Sequence, residues 1–346
     1  MNHSIVTQLE DLPVEILTEI FDYFTATEIY VGFAQLNDRL NSILKSLHNL
    51  TFVTEYDLDP ILSFFHSFKA IHVKICHSGL YSLFKPYVIK GGHRLFQRYP
   101  SLDCHWYPHP LNEIENIRPD ICSQLRSLIL PTSSSQLVQM IFNGEFPLLE
   151  ICHLGKCDPI ILPLSTTTQL PSLRQLTIRE QNGNTLEKIL LMCPSLIYLD
   201  FSCNDVIPKF VFTTRCFSSM KYLRLGRLMD FMFHNGQFDI LLSFFPSLRQ
   251  FHLIVNQSHK SFEIIRFAEV AEILLHRLPS LKILDLRIYM MDLMYLLHST
   301  QRLKLIARMH PLFKYILQCN SLVMITSYGF VPNYAYTRRF VRPSFE

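Results

Sequence analysis

An eight-residue phrase recurs along this chain and limits what it can fold into. It reads PSLRQLTI at 171–178, PSLIYLDF at 194–201, PSLRQFHL at 246–253 and PSLKILDL at 279–286. Looser copies are SQLRSLIL (123–130), PLLEICHL (147–154) and SSMKYLRL (218–225). The shared pattern is LxxLxL, opening at Leu125, Leu149, Leu173, Leu196, Met220, Leu248 and Leu281, with steps of 24, 24, 23, 24, 28 and 33 residues. A period in the range of roughly 20–29 residues marks one supersecondary unit per copy, since a single unit cannot bury its own apolar side and must stack on its neighbours. A short strand turns the second and third pattern residues inward. The chain then returns through a helix or irregular segment, so successive strands run parallel. The two longest steps imply insertions.

The intervals suit return helices. GNTLEKILLMCPSL carries Leu186, Ile189, Leu190 and Cys193 at helical spacing. FDILLSFFPSL and FAEVAEILLHRLPSL follow the same logic, each ending near the proline that opens the next copy. Proline ends a helix and biases the residue before it toward extended backbone. Between 51 and 120 FKAIHVKI (68–75) and YPSLDCHW (99–106) resemble the phrase; beyond 300, LVMITS (322–327) belongs to a segment expected to cap the open end.

The front of the chain differs. LEDLPVEILTEIFDYF (9–24) predicts a helix from Pro13 to Phe24, with Ile16, Ile20 and Phe24 on one line and Val14, Leu17 and Phe21 beside it. Proline at the first turn removes only a donor that has no partner there. Thr25 and Glu28 stand in capping-box spacing for a second helix, and Asn37 or Asp38 caps a third that carries Leu36, Leu40, Ile43, Leu44 and Leu47 on one face. About 40 residues bury too little surface to stand alone, so this cluster must dock on the repeats or receive another protein.

Composition excludes several functions. Hydrophobic residues make up 49% and charged ones 18%, which argues against disorder. A net charge of +3, with Arg338, Arg339 and Arg342 as the densest basic group, is too small to argue for nucleic acid or an anionic membrane. No apolar run of membrane-spanning length occurs, and the N-terminus lacks the features of a secretory signal. Nine irregularly spaced cysteines suit a reducing compartment, so a cytoplasmic or nuclear location is expected. Cys104, His105 and His109, or Cys152, His153 and Cys157, lack the paired spacing of structural zinc. With no phosphate loop, nucleophile elbow or HExxH, neither catalysis, cofactor nor metal is expected.

Two resemblances join these parts. The LxxLxL copies across 121–300 resemble leucine-rich repeats, with Cys157, Asn204 and Asn256 at the position where that family often places Asn or Cys. Leu9, Leu12-Pro13, Glu15-Ile16-Leu17, Ile20-Phe21, Tyr23-Phe24 and Asn37-Asp38-Arg39-Leu40 resemble an F-box, with Phe24 where leucine is common. The resemblance implies an α/β chain: a three-helix F-box at 9–50, a connecting region with early divergent repeats at 51–120, an irregular solenoid with a parallel sheet on its concave face at 121–300, and a cap and tail at 301–346. It also implies a substrate-recognition subunit of an SCF-type ubiquitin ligase, bound through a Skp-type adaptor to a cullin, with ubiquitin transfer done by partner subunits.

By position, Leu12, Pro13, Ile16, Leu17, Ile20 and Phe21, with Leu40 and Ile43, are the expected adaptor-binding residues. Strand residues between the inward leucines alternate to the other face. There Arg179, Tyr198, Asp200, Tyr222, Arg224, His252, Asp285 and Arg287 are the candidates for contact with an unidentified target protein. The competing expectation is a leucine-rich-repeat scaffold whose first helices only cap the stack.

Overall fold

The computed structural model describes residues 9, 12–34, 36–54, 61, 64, 65, 67–73, 117–120, 122–156, 169–203, 216–229, 233, 236–256, 267–289, 308, 310–319 and 322–327. The chain forms two compact units, Met1–Leu196 and Ile197–Glu346, and their boundary falls inside the phrase PSLIYLDF. Within both, the architecture is α/β with mostly parallel strands.

The first unit opens with α1 (Val14–Phe21), α2 (Ala26–Phe33) and α3 (Asp38–Ser46). Pro13 is the residue before the first helical turn, and its carbonyl accepts the Leu17 N–H at 3.1 Å. The helix stops at Phe21, short of the expected Phe24. The Thr25 capping box forms in both directions: Thr25 Oγ1 accepts from the Glu28 N–H, and the Glu28 carboxylate accepts from the Thr25 N–H at 2.8 Å. Asn37 Oδ1 accepts from the Leu40 N–H at 2.8 Å and starts α3. These local hydrogen bonds fix the helix starts. Aromatic contact adds tertiary order, with Phe21 edge-on to Phe33 at 5.2 Å between ring centroids.

Five strands follow in the order β1 (Leu50–Thr54), β2 (Phe68–Val73), β3 (Ser127–Thr132), β4 (Ile151–Lys156) and β5 (Gln175–Gln181), all parallel. Helix α4 (Ser135–Phe142) lies between β3 and β4, and α5 (Asn184–Met192) follows β5. The segment that forms α4, SQLVQMIF, lies in one of the intervals where a return helix is expected, though it is not singled out above. Ser134 Oγ caps it by accepting from the Leu137 N–H, and Gly144, at φ 82°, ends it in the left-handed conformation that suits glycine. FKAIHVKI supplies β2 as expected; YPSLDCHW lies outside the described residues.

In the second unit β6 (Tyr198–Cys203), β7 (Tyr222–Met229), β8 (Gln250–Asn256) and β9 (Ile283–Tyr289) are parallel neighbours. Helices α6 (Gln237–Ser243) and α7 (Phe267–Arg277) fill the intervals after β7 and β8. The segment expected as a cap contains an antiparallel hairpin, β10 (Tyr315–Cys319) and β11 (Leu322–Thr326), with β11 laid against β9.

One turn recurs in every copy of the phrase. The N–H of the first pattern residue bonds the carbonyl three residues earlier: Leu125 to Cys122, Leu149 to Phe146, Leu173 to Leu170 and Leu196 to Cys193 in the first unit. In the second unit the pairs are Met220 to Phe217, Leu248 to Phe245 and Leu281 to Leu278. Each accepting residue is buried, so the phrase carries a fourth apolar position ahead of LxxLxL. The second and third pattern residues, such as Leu176 and Ile178 or Leu223 and Leu225, are buried. At roughly 1.5–3 kcal/mol for each such side chain, the repeated pattern is the chief source of stability.

Candidate functional site

The described N-terminal residues divide the expected adaptor-binding set in two. Leu17, Phe21, Leu40 and Ile43 are buried within the chain. Leu12 and Ile20 are half-buried, while Pro13 and Ile16 are exposed. Helix geometry explains the split: Leu17 and Phe21 are four residues apart and face inward together, whereas Ile16 lies on the next line of the helix. The surface also holds apolar side chains outside that set, including Val14, Tyr23, Val31 and Leu36. Tyr23 is 87% exposed and Val31 80% exposed. Seven of the ten exposed large apolar residues among those described fall between Leu9 and Leu36. Thr27 Oγ1 donates to the Val53 carbonyl at 2.9 Å, so α2 is tied to β1 while much of α1 stays open.

The candidate target residues have a different setting. Register places Asp200, Arg224, His252, Asp285 and Thr326 side by side across five strands of the second unit. Arg224 Nη1 donates to Asp200 Oδ2 at 3.3 Å. Arg287 grips Asp285 through Nε and Nη2, the latter at 2.9 Å. His252 Nε2 contacts Asp285 Oδ2. Tyr198, Asp200, His252 and Asp285 are buried, and the Arg224 and Arg287 side chains are 13% and 12% exposed. Alternation places these residues opposite the leucines, as expected. It does not make them a solvated contact surface: two acids and a histidine are consumed in an internal polar ladder. Among the other candidates, Tyr222 is half-buried and Arg179, in the first unit, is exposed.

Burial is the largest influence on both members of the His252–Asp285 contact, and it acts in opposite senses. It lowers the proton affinity of His252; Asp285 opposes this, Arg224 and Arg287 reinforce it, and the net direction is down. Burial alone pushes the Asp285 carboxyl up, but the His252 hydrogen bond and the charges of His252 and Arg287 outweigh it and hold the group below the usual carboxylate range. Arg287, held on Asp285 through Nε and Nη2, is the permanent cation that favours the ionised carboxylate. Asp200 and Asp285 face Arg224 and Arg287, two acids against two cations, so each of these buried carboxylates has a cationic partner.

Smaller polar pairs occupy the first unit. His72 Nε2 and Ser127 Oγ lie 2.7 Å apart, and Thr177 Oγ1 lies 3.3 Å from His153 Nδ1. Burial pushes the Cys122 and Cys193 thiols up to about 12, which leaves them protonated and poor nucleophiles. Among the described residues no group of three His, Cys, Asp or Glu is placed to hold a metal ion. Cys104, His105, His109 and Cys157 lie outside those residues. No described helix is long and apolar enough to cross a membrane. The sequence does not display the polar ladder as a ladder, because its cross-strand neighbours are 24–41 residues apart; the alternating polar positions within each phrase are its trace.

Comparison with known proteins adds no relative: no family model matches the chain, and no curated protein matches it.

Proposed function

We propose that this chain is a non-catalytic target-recognition adaptor whose N-terminal helices form an F-box that binds a Skp-type adaptor, and through it a cullin of an SCF-type ubiquitin ligase. In this reading the repeats form an irregular leucine-rich solenoid that holds the target protein. The observation that carries it is the concentration of exposed apolar side chains on residues 9–36. Exposed apolar groups gathered in one region mark an interaction surface, while scattered ones do not. Pro13 and Ile16 are the members of the expected contact set that remain most open, with half-buried Leu12 and Ile20 beside them.

The second reading, a scaffold whose first helices cap the repeats, is favoured by the Thr27–Val53 hydrogen bond that ties α2 to β1. Capture of the full chain by a purified Skp-type adaptor separates the two. Pro13→Ala with Ile16→Asp, both at exposed positions, is expected to reduce capture at least about tenfold with an unchanged unfolding midpoint, by removing apolar contacts worth ~1.4 kcal/mol or more in all. Failure of the wild-type chain to bind, or equal binding by the double variant, rejects the F-box reading.

A further inference from the structure

The second unit carries a line of three cations where its parallel strands begin. Lys221, Arg249 and Lys282 each occupy the position after the first pattern residue and immediately before β7, β8 and β9. Their backbones are stitched together: the Arg249 N–H donates to the Lys221 carbonyl and the Lys282 N–H to the Arg249 carbonyl, each at 2.8 Å. Each of those carbonyls accepts a second bond, from Gln250 and Ile283 at 3.0 and 3.1 Å. The three residues therefore cannot slide past one another without breaking the start of the sheet. Arg249 and Lys282 are exposed and Lys221 is half-buried.

None of the three side chains pairs with a carboxylate among the described residues. This sets them apart from Arg224, Arg277 and Arg287, each of which sits on an aspartate. The same position in the first unit reads Arg126, Glu150 and Arg174, where Glu150 interrupts the run and pairs with Arg126 at 3.1 Å. In the second unit Ile197 holds this position before β6, and the three copies after it form an uninterrupted row with no carboxylate partner among the described residues.

Neighbouring strands lie about 4.8 Å apart, so the three positions are spaced at about that interval over roughly 10 Å. An α-helix rises 1.5 Å per residue, which places side chains at i, i+3 or i+4, and i+7 at about 4.5–6 Å and 10.5 Å along one face. We propose that Lys221, Arg249 and Lys282 form a docking ridge for a partner protein's α-helix that carries aspartate or glutamate at those positions. Single-stranded nucleic acid fits less well. Binding it uses aromatic platforms for the bases, and of the aromatics nearest the ridge in sequence Phe251 is buried and Tyr222 is half-buried, so neither is an exposed platform. The proposal needs neither the F-box nor the solenoid reading, and survives the failure of either.

The test uses the full chain and three labelled probes in fluorescence anisotropy at low salt. One is an alanine-based helical peptide with glutamates on one face; the second is its isomer with the same glutamates spread around the helix; the third is a single-stranded oligodeoxynucleotide of equal charge. The striped peptide is expected to bind several-fold more tightly than either other probe, and to weaken as salt screens the contacts. Lys221→Gln with Arg249→Gln and Lys282→Gln is expected to weaken it about tenfold, the sum of three exposed ion pairs, with an unchanged melting midpoint. Should the triple variant fold poorly, Arg249→Gln with Lys282→Gln, both at exposed positions, is expected to weaken binding about fivefold. Undetectable peptide binding, equal binding of the isomer, tighter binding of the oligonucleotide, or a folded variant with wild-type affinity overturns the proposal.

Discussion

Replacing Asp285 by asparagine tests whether the polar ladder holds the second unit together. The carboxylate accepts from Arg287 Nε and Nη2 and contacts His252, and its side chain is 1% exposed. Asparagine keeps the shape but removes the charge, which leaves the Arg287 guanidinium, 12% exposed, without its counterion. Breaking a buried pair by removing one partner costs about 3–5 kcal/mol. The internal control is Asp239→Asn. Asp239 accepts from Arg277 in the same two-pronged way, at 2.7 Å through both Nε and Nη2, but the pair is 37% and 34% exposed. Solvent screening reduces such a pair to about 0.2–1 kcal/mol. A domain of about 150 residues shifts its midpoint by roughly 2–4 °C for each kcal/mol. Asp285→Asn should therefore lower the thermal midpoint of the second unit by roughly 6–20 °C, against no more than about 4 °C for Asp239→Asn. Circular dichroism and intrinsic fluorescence melts, fitted only where the two probes coincide, give both values. Equal shifts for the two variants would show that burial does not set the strength of these pairs, and the account of the ladder fails.

The same ladder predicts a pH dependence. His252 and Asp285 both have proton affinities lowered by folding, so the unfolded chain binds more protons and stability falls as pH falls. The His252 contribution is complete above its unfolded value of 6.5 and declines below it; that of Asp285 is complete above 3.8 and declines below that. Urea midpoints should drop between pH 7 and pH 5 for the wild type and much less for His252→Gln, and parallel curves would refute the assignment of that drop to His252. Gly226 tests strand packing, since a Cβ there meets Ser202 Cβ at 3.1 Å across the β6–β7 pair. Gly226→Ala is expected to cost about 1 kcal/mol and Ser202→Gly to restore part of it in the double variant; additive losses would locate the strain elsewhere.

The helix starts were legible because their causes are local. Thr25 with Glu28, and Asn37 with Leu40, lie three residues apart, and the hydrogen bonds they make need no other part of the fold. Helix α4 falls under the general expectation of return helices between copies of the phrase, although its segment, SQLVQMIF, is not one of the three singled out. Packing divides the N-terminal contact set into buried and open members. A sequence shows which helix residues are apolar, while only packing showed that Leu17 and Phe21 turn inward and Ile16 and Val14 do not.

What the sequence alone determined is the rhythm: strand after strand at the leucine positions, because burial of alternate side chains in a short segment is written in that segment. What only the tertiary structure decided is lateral. Register set Asp200 against Arg224 and His252 against Asp285, and aligned Lys221, Arg249 and Lys282 in a row. Such neighbours are joined by hydrogen bonds between backbones 24–33 residues apart, and no single strand encodes the offset of the next. Charge becomes an internal brace or an open ridge according to that offset and to what packs above it.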